Sequence, residues 1–134
     1  MTMIILILNQ VEKKDEDLLK TAVSIAENFI KSFFMGDFEK AKIDFDEEMK
    51  TNFDISSLKN IQEQTIVKTG NLQELGKPIV NKKEDNFFII EYPQAKSEKK
   101  EKIMIQVVFK NDSENNLKIS GFWFDSPDDL WKEE

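Results

Sequence analysis

Histidine, cysteine and arginine are all missing from this 134-residue chain, whose 19 basic residues are therefore all lysine. No cysteine means no thiol nucleophile and no disulfide. With histidine gone as well, zinc sites of the Cys/His type and Ser-His-Asp triads are excluded, and without arginine there is no bidentate clamp for phosphate. Glycine stands only at positions 36, 70, 76 and 121. No G-x-G exists, which removes dinucleotide-binding turns and nucleophile elbows. Gly70 and Gly76-Lys77 are one residue too far apart for a P-loop, and Pro78 replaces its Ser or Thr. Asp44-Phe45-Asp46-Glu47-Glu48 starts like a calcium loop, but Met49 stands where glycine is needed and Ile55 where the bidentate Glu belongs. No cofactor, no metal site and no catalytic motif are expected.

Long apolar runs are also scarce. The longest, Met3 to Leu8, is six residues. A signal-peptide core needs roughly 7–15 with a basic flank, and a membrane span roughly 20. We expect no span and a cytoplasmic protein, with export open if this run is a truncated signal. Residues 1–14 then read as an extra strand or as an arm that packs on a neighbour. Basic charge is outweighed: the net charge is −7. A nucleic-acid reader needs a basic stripe to neutralise phosphates. The one cationic run, Lys96 to Lys102, is interrupted by Glu98 and Glu101 and reads as a solvated hairpin end. No nucleic-acid partner is expected.

What remains is one domain's worth of chain, 40% hydrophobic and 34% charged, with 11 phenylalanines. Asp15 is a candidate N-cap, followed by Leu18, Ala22, Ile25, Ala26, Phe29, Ile30 and Phe33 at helical spacing. Gly36 closes that helix and Asp37 caps a short second one carrying Phe38 and Ala41, with Ile43 and Phe45 also turned inward. A third helix starts after Asp54 or Ser56, carries Leu58, Ile61 and Ile66, and stops at Gly70. From Leu72 the period changes to two. Strands are expected within 72–82 (broken near Gly76-Lys77-Pro78), 87–92, 103–109 and 117–124, with a polar hairpin turn at 111–116. Helices first and strands after is an α+β order, with helices on one face of an antiparallel sheet of about four strands. Residues 15–125 make the domain and 126–134 an acidic tail that Leu130 and Trp131 could dock.

Ala26-Glu27-Asn28-Phe29-Ile30-Lys31, then Gly36-Asp37-Phe38-Glu39-Lys40-Ala41, then Phe45-Asp46-Glu47-Glu48-Met49-Lys50 resembles an uncharacterised prokaryotic domain of the nuclear transport factor 2-like (cystatin-like, SnoaL-like) superfamily. That domain occurs alone or ahead of secreted α/β hydrolases. Leu58 through Gly70, Leu75-Gly76-Lys77-Pro78 and Lys118-Ile119-Ser120-Gly121-Phe122-Trp123-Phe124 continue the resemblance, which spans roughly Asp15 to Phe124. It implies a cone-like fold: three N-terminal helices packed in a curved antiparallel sheet, a cavity between them, and often a homodimer through the sheet. It also implies a possible chemistry, since enzymes of that superfamily use a pocket Asp with a Tyr or His donor.

Tyr92 is the only tyrosine, so a cofactor-free isomerase or dehydratase would pair it with Asp44 or Asp46. The structural alternative makes Tyr92 a strand aromatic and Asp46 the cap of a turn beginning at Glu47. Phe87, Phe88, Tyr92, Phe122, Trp123 and Phe124 cannot share one face, because neighbouring strand residues point to opposite sides. Both sides of the sheet are thus expected to be apolar, the outer one covered by a second subunit, a partner or the N-terminal segment. Phe88, Tyr92, Phe122, Trp123 and Phe124 are the candidate pocket or interface residues. The leading expectation is a non-catalytic domain binding an apolar small molecule or a protein partner. The alternatives are the Tyr92 enzyme and a structural homodimer.

Overall fold

The computed structural model describes residues 2–84, 87–111 and 117–125, with side chains from residue 17 onward except at positions 82 and 84. The expected hairpin turn at 112–116 and the acidic tail at 126–134 lie outside the described residues. Four helices come first: α1 (Thr2–Met35), α2 (Phe38–Ala41), α3 (Glu47–Asn52) and α4 (Ile55–Thr69). Six strands follow: β1 (Leu72–Glu74), β2 (Ile79–Glu84), β3 (Phe87–Glu91), β4 (Lys96–Ser97), β5 (Met104–Asn111) and β6 (Leu117–Asp125). The fold is α+β, as the order of periodicities predicts. No helix among the described residues is long and apolar enough to cross a membrane.

The first correction concerns the start. Asp15 caps nothing, because α1 runs through it, and residues 2–14 are helix where an extra strand was one of the two expectations. The reason is local: no glycine or proline precedes Gly36, and Leu, Gln, Glu and Lys all favour helix. The far end of α1 follows the expected chemistry. Gly36 takes φ +86°, its N–H bonds to the Phe33 carbonyl at 3.2 Å, and Asp37 N–H reaches back to the Ser32 carbonyl at 2.9 Å. That is a Schellman closure. The Gln62 side chain of α4 adds bonds to the Phe33 and Phe34 carbonyls at 3.2 and 3.4 Å.

Aspartates start the next three helices, their side chains accepting from the amides of Lys40, Met49 and Ser57. Asp37 and Asp54 stand where expected. Asp46 opens α3, a fourth, six-residue helix beyond the three expected. Phe38, Ala41 and Phe45 are buried, whereas Ile43 is exposed because α2 ends before it.

The main sheet is antiparallel and curved, with strand order β2-β3-β5-β6. β1 and β4 form a separate two-stranded piece. The expected break near Pro78 separates these two sheets: Gly76 turns there at φ +75°, and a Cβ on it would sit 2.7 Å from Gln94. Pro78 precedes β2, an edge strand, where a missing N–H costs no ladder bond. The inner face is built from Phe88, Ile90, Ile105, Val107, Phe109, Leu117 and Ile119, all buried. Against it lie Ala22, Ala26, Phe29, Ile30, Phe33 and Phe34 of α1. Rings dominate this contact: Phe29 lies 5.1 Å from Phe122, and Phe33 stacks on Phe124 at 4.6 Å.

Candidate functional site

Strand register decides where the candidate residues go. Phe88 pairs with Phe109, Phe122 with Val107 and Phe124 with Ile105, which places all three on the inner face. Phe88 stacks on Phe109 with ring centroids 5.5 Å apart, and Phe122 and Phe124 join the phenylalanines of α1. Tyr92, just past β3, is fully buried. Trp123 alone faces outward, 47% exposed and paired with Gln106. Four of the five candidates therefore meet in the core and the fifth stands on the opposite surface.

Tyr92 has a partner that neither sequence reading named. Its hydroxyl donates to Glu27 Oε2 of α1 at 3.3 Å. Burial, reinforced by the Glu27 charge and this hydrogen bond, pushes the phenol above the ordinary tyrosine range. Such a hydroxyl holds its proton and donates a hydrogen bond to the carboxylate. A signal for Glu27 is visible in hindsight: Val23, Glu27, Ile30 and Phe34 recur at spacings of four, three and four, so a carboxylate occupies an otherwise apolar row.

The aspartates proposed as its companions work elsewhere. Asp46 accepts the Met49 amide at 2.8 Å on one oxygen and the Ser120 hydroxyl at 2.8 Å on the other. The Asp44 carbonyl accepts the Ile119 amide at 2.7 Å, and the Asp46 amide donates to the Ile119 carbonyl at 3.0 Å. This segment thereby covers part of the free edge of β6.

Two depressions are formed wholly by described residues and can be placed in the fold. One, of about 150 Å³, lies between α4 and β6 and is lined by Ile61, Thr65, Thr69 and Phe124, with the Lys68–Asp125 ion pair (2.7 Å) at its rim. The other is a polar hollow at the start of α4 around Ser57 and Asn60. Neither includes Tyr92 or Glu27. No group of three or more Asp or Glu side chains is placed to hold a metal ion among the described residues.

The outer face of the sheet is the larger feature. Asn81, Ile89, Val108 and Gly121 form its central row across four strands, and Ile79, Glu91, Gln106 and Trp123 the next. Phe87, Lys110 and Lys118 form the row on the other side, and Met104 lies beyond Gln106 along β5. Phe87, Ile89, Met104 and Val108 are half-buried without belonging to the core, while Ile79 (54%) and Trp123 are exposed. The result is an apolar strip with lysines at one end and Glu91 toward the other. A bulge at Ser120 sets this pattern on β6. It moves the alternation by one, so that Gly121 opposes Val108 and Trp123 turns out.

Comparison with protein-family models, with curated proteins and with solved structures gives no match.

Proposed function

We propose that this chain is a non-catalytic interaction domain that docks a protein partner through the outer face of its sheet. The observation that carries this reading is the apolar strip through Ile79, Phe87, Ile89, Met104, Val108 and Trp123, which no part of the core claims. Contiguous apolar surface of this kind, rimmed by polar residues, marks interaction sites. Ring packing supports a face over a pocket, since Phe122 and Phe124, expected to line a cavity, pack against the phenylalanines of α1. We also keep the kinship to nuclear transport factor 2-like domains as part of the proposal, supported by helices preceding a curved antiparallel sheet.

The test substitutes Ile89→Lys and Val108→Glu, separately, on a face that contributes nothing to the core. Each variant should keep the wild-type circular dichroism spectrum. Each should also lose most binding of an apolar fluorescent dye, together with any concentration-dependent association in sedimentation. Dye binding equal to wild type in both variants would refute the docking face.

A further inference from the structure

The outer face of the sheet is ordered in rows as well as in strands. Successive outward residues of one strand stand about 7 Å apart, and strand pairing ties them into rows that cross the sheet. Val108 lies in the middle row, between Ile89 and Gly121. One row away, Lys110 pairs with Lys118 on one side and Phe87 on the other. One row away in the opposite direction, Gln106 stands between Glu91 and Trp123. Two lysines therefore flank an apolar middle on one side, with a carboxylate and an indole at the same distance on the other. A lysine is attracted to both of these, to the carboxylate by charge and to the indole through its negative ring face. A face patterned in this way is complementary to itself when turned end over end.

Resting on the docking-face reading above, we infer that the partner is a second copy of this chain, packed sheet on sheet about a two-fold axis that runs along the middle row, across the strands. Rotation about that axis lays each strand over its own copy in the opposite direction. The lysine row of each chain then lies on the Glu91–Trp123 row of the other. Lys118 meets the second copy's Trp123. Lys110 meets its Gln106, one strand spacing (about 4.8 Å) from its Glu91. Val108 and Ile89 oppose their own counterparts at the centre, as an isologous contact requires. A two-fold axis along the strands would instead set each row on itself and crowd four lysines together, and like charges so placed oppose association. Charge therefore selects the axis as well as the partner. The face measures about 19 Å across four strands and about 20 Å from Met104 to Lys110. That is small for a specific interface, so the pair is reversible, and its charged contacts weaken with salt.

Charge pattern and axis are tested separately, in the full chain. Lys110→Glu with Lys118→Glu should weaken self-association at least tenfold in sedimentation equilibrium at low salt, and adding Glu91→Lys should recover part of the loss. Lys110→Glu alone, at an exposed position, gives the same direction if the double variant fails to fold. Association unchanged by these reversals would overturn the inference, as would no recovery on adding Glu91→Lys. So would a wild-type chain that stays monomeric at millimolar concentration. For the axis, the absence of native cysteine helps. Gln106→Cys and Lys110→Cys chains are prepared separately, mixed, and treated with a short bismaleimide linker. The mixture should cross-link several-fold faster than either chain alone. Fastest linkage within the Lys110→Cys chain by itself would put like rows together and overturn the axis. A monomer that still loses dye binding at Ile89→Lys would overturn the second copy and leave the docking face standing. Dye binding equal to wild type in Ile89→Lys and Val108→Glu would remove both.

Discussion

A buried hydroxyl facing a carboxylate illustrates how little chemistry an isolated pair supplies. Tyr92 and Glu27 hold the end of β3 against α1, and burial keeps the phenol neutral. Replacing Tyr92 by Phe should cost about 0.5–1.5 kcal/mol at pH 7, the usual worth of one such bond. The sign of the pH dependence follows from the raised pKa. Below the ordinary tyrosine value of about 10 both states hold the proton, so the contribution is fully present. Above it the unfolded chain ionises first, and wild-type stability falls relative to Tyr92→Phe. Urea unfolding of both proteins at pH 7 and pH 10.5 measures this difference, and a constant difference would contradict the buried, bonded phenol. Trp123 and Phe124 make a second comparison, being neighbours on opposite faces. Phe124→Ala removes a ring stacked on Phe33 and should cost about 3–5 kcal/mol. Trp123→Ala should change the stability of the monomer by no more than about 0.5 kcal/mol, as exposed positions usually do. Thermal unfolding at low protein concentration reads both.

Among the elements, the short helices do structural work that their size conceals. The Asp46 carboxylate caps α3 and also ties it to β6 through Ser120. Asp46→Ala should cost about 1–2 kcal/mol, toward the upper end for a cap because a second bond goes with it. In a double-mutant cycle with Ser120→Ala the two changes should be non-additive, since they share one bond. Additive losses would show that the link to β6 contributes nothing. The closure of α1 behaves differently. Gly36 sits at φ +86°, so Gly36→Ala should lose about 1 kcal/mol or more through backbone strain, since the new methyl would make only an ordinary contact with Gln62 Nε2 at 3.7 Å. Most of these boundaries could be read from neighbouring residues: Gly36, Asp37, Asp54, Gly70 and Pro78 all act where their local chemistry places them. Asp15 did not, because a good capping residue cannot stop a helix when strong helix formers continue on both sides.

The whole molecule is a two-layer object whose inner layer is an aromatic contact and whose outer surface is an apolar strip between charged rows. Sequence periodicity and composition were enough to establish helices before strands, the α+β class, the three inner-face positions Ile105, Val107 and Phe109 of β5 with the buried Ile103 just before it, and the exclusion of whole families of chemistry. Those properties depend on composition or on residues within a turn of one another, and no distant part of the chain can alter them. The candidate site was another matter. The pairing of Tyr92 with Glu27 joins residues 65 positions apart. The separation of Trp123 from Phe122 and Phe124 depends on which β6 residues oppose which β5 residues across the bulge at Ser120. Register of this kind is set by burying one complete sheet face against α1, a collective balance over many side chains at once. Composition and local pattern therefore determined what this protein is made of and which reactions lie outside its reach. Packing of the helix on the sheet decided which rings became core and which apolar side chains stayed outside it.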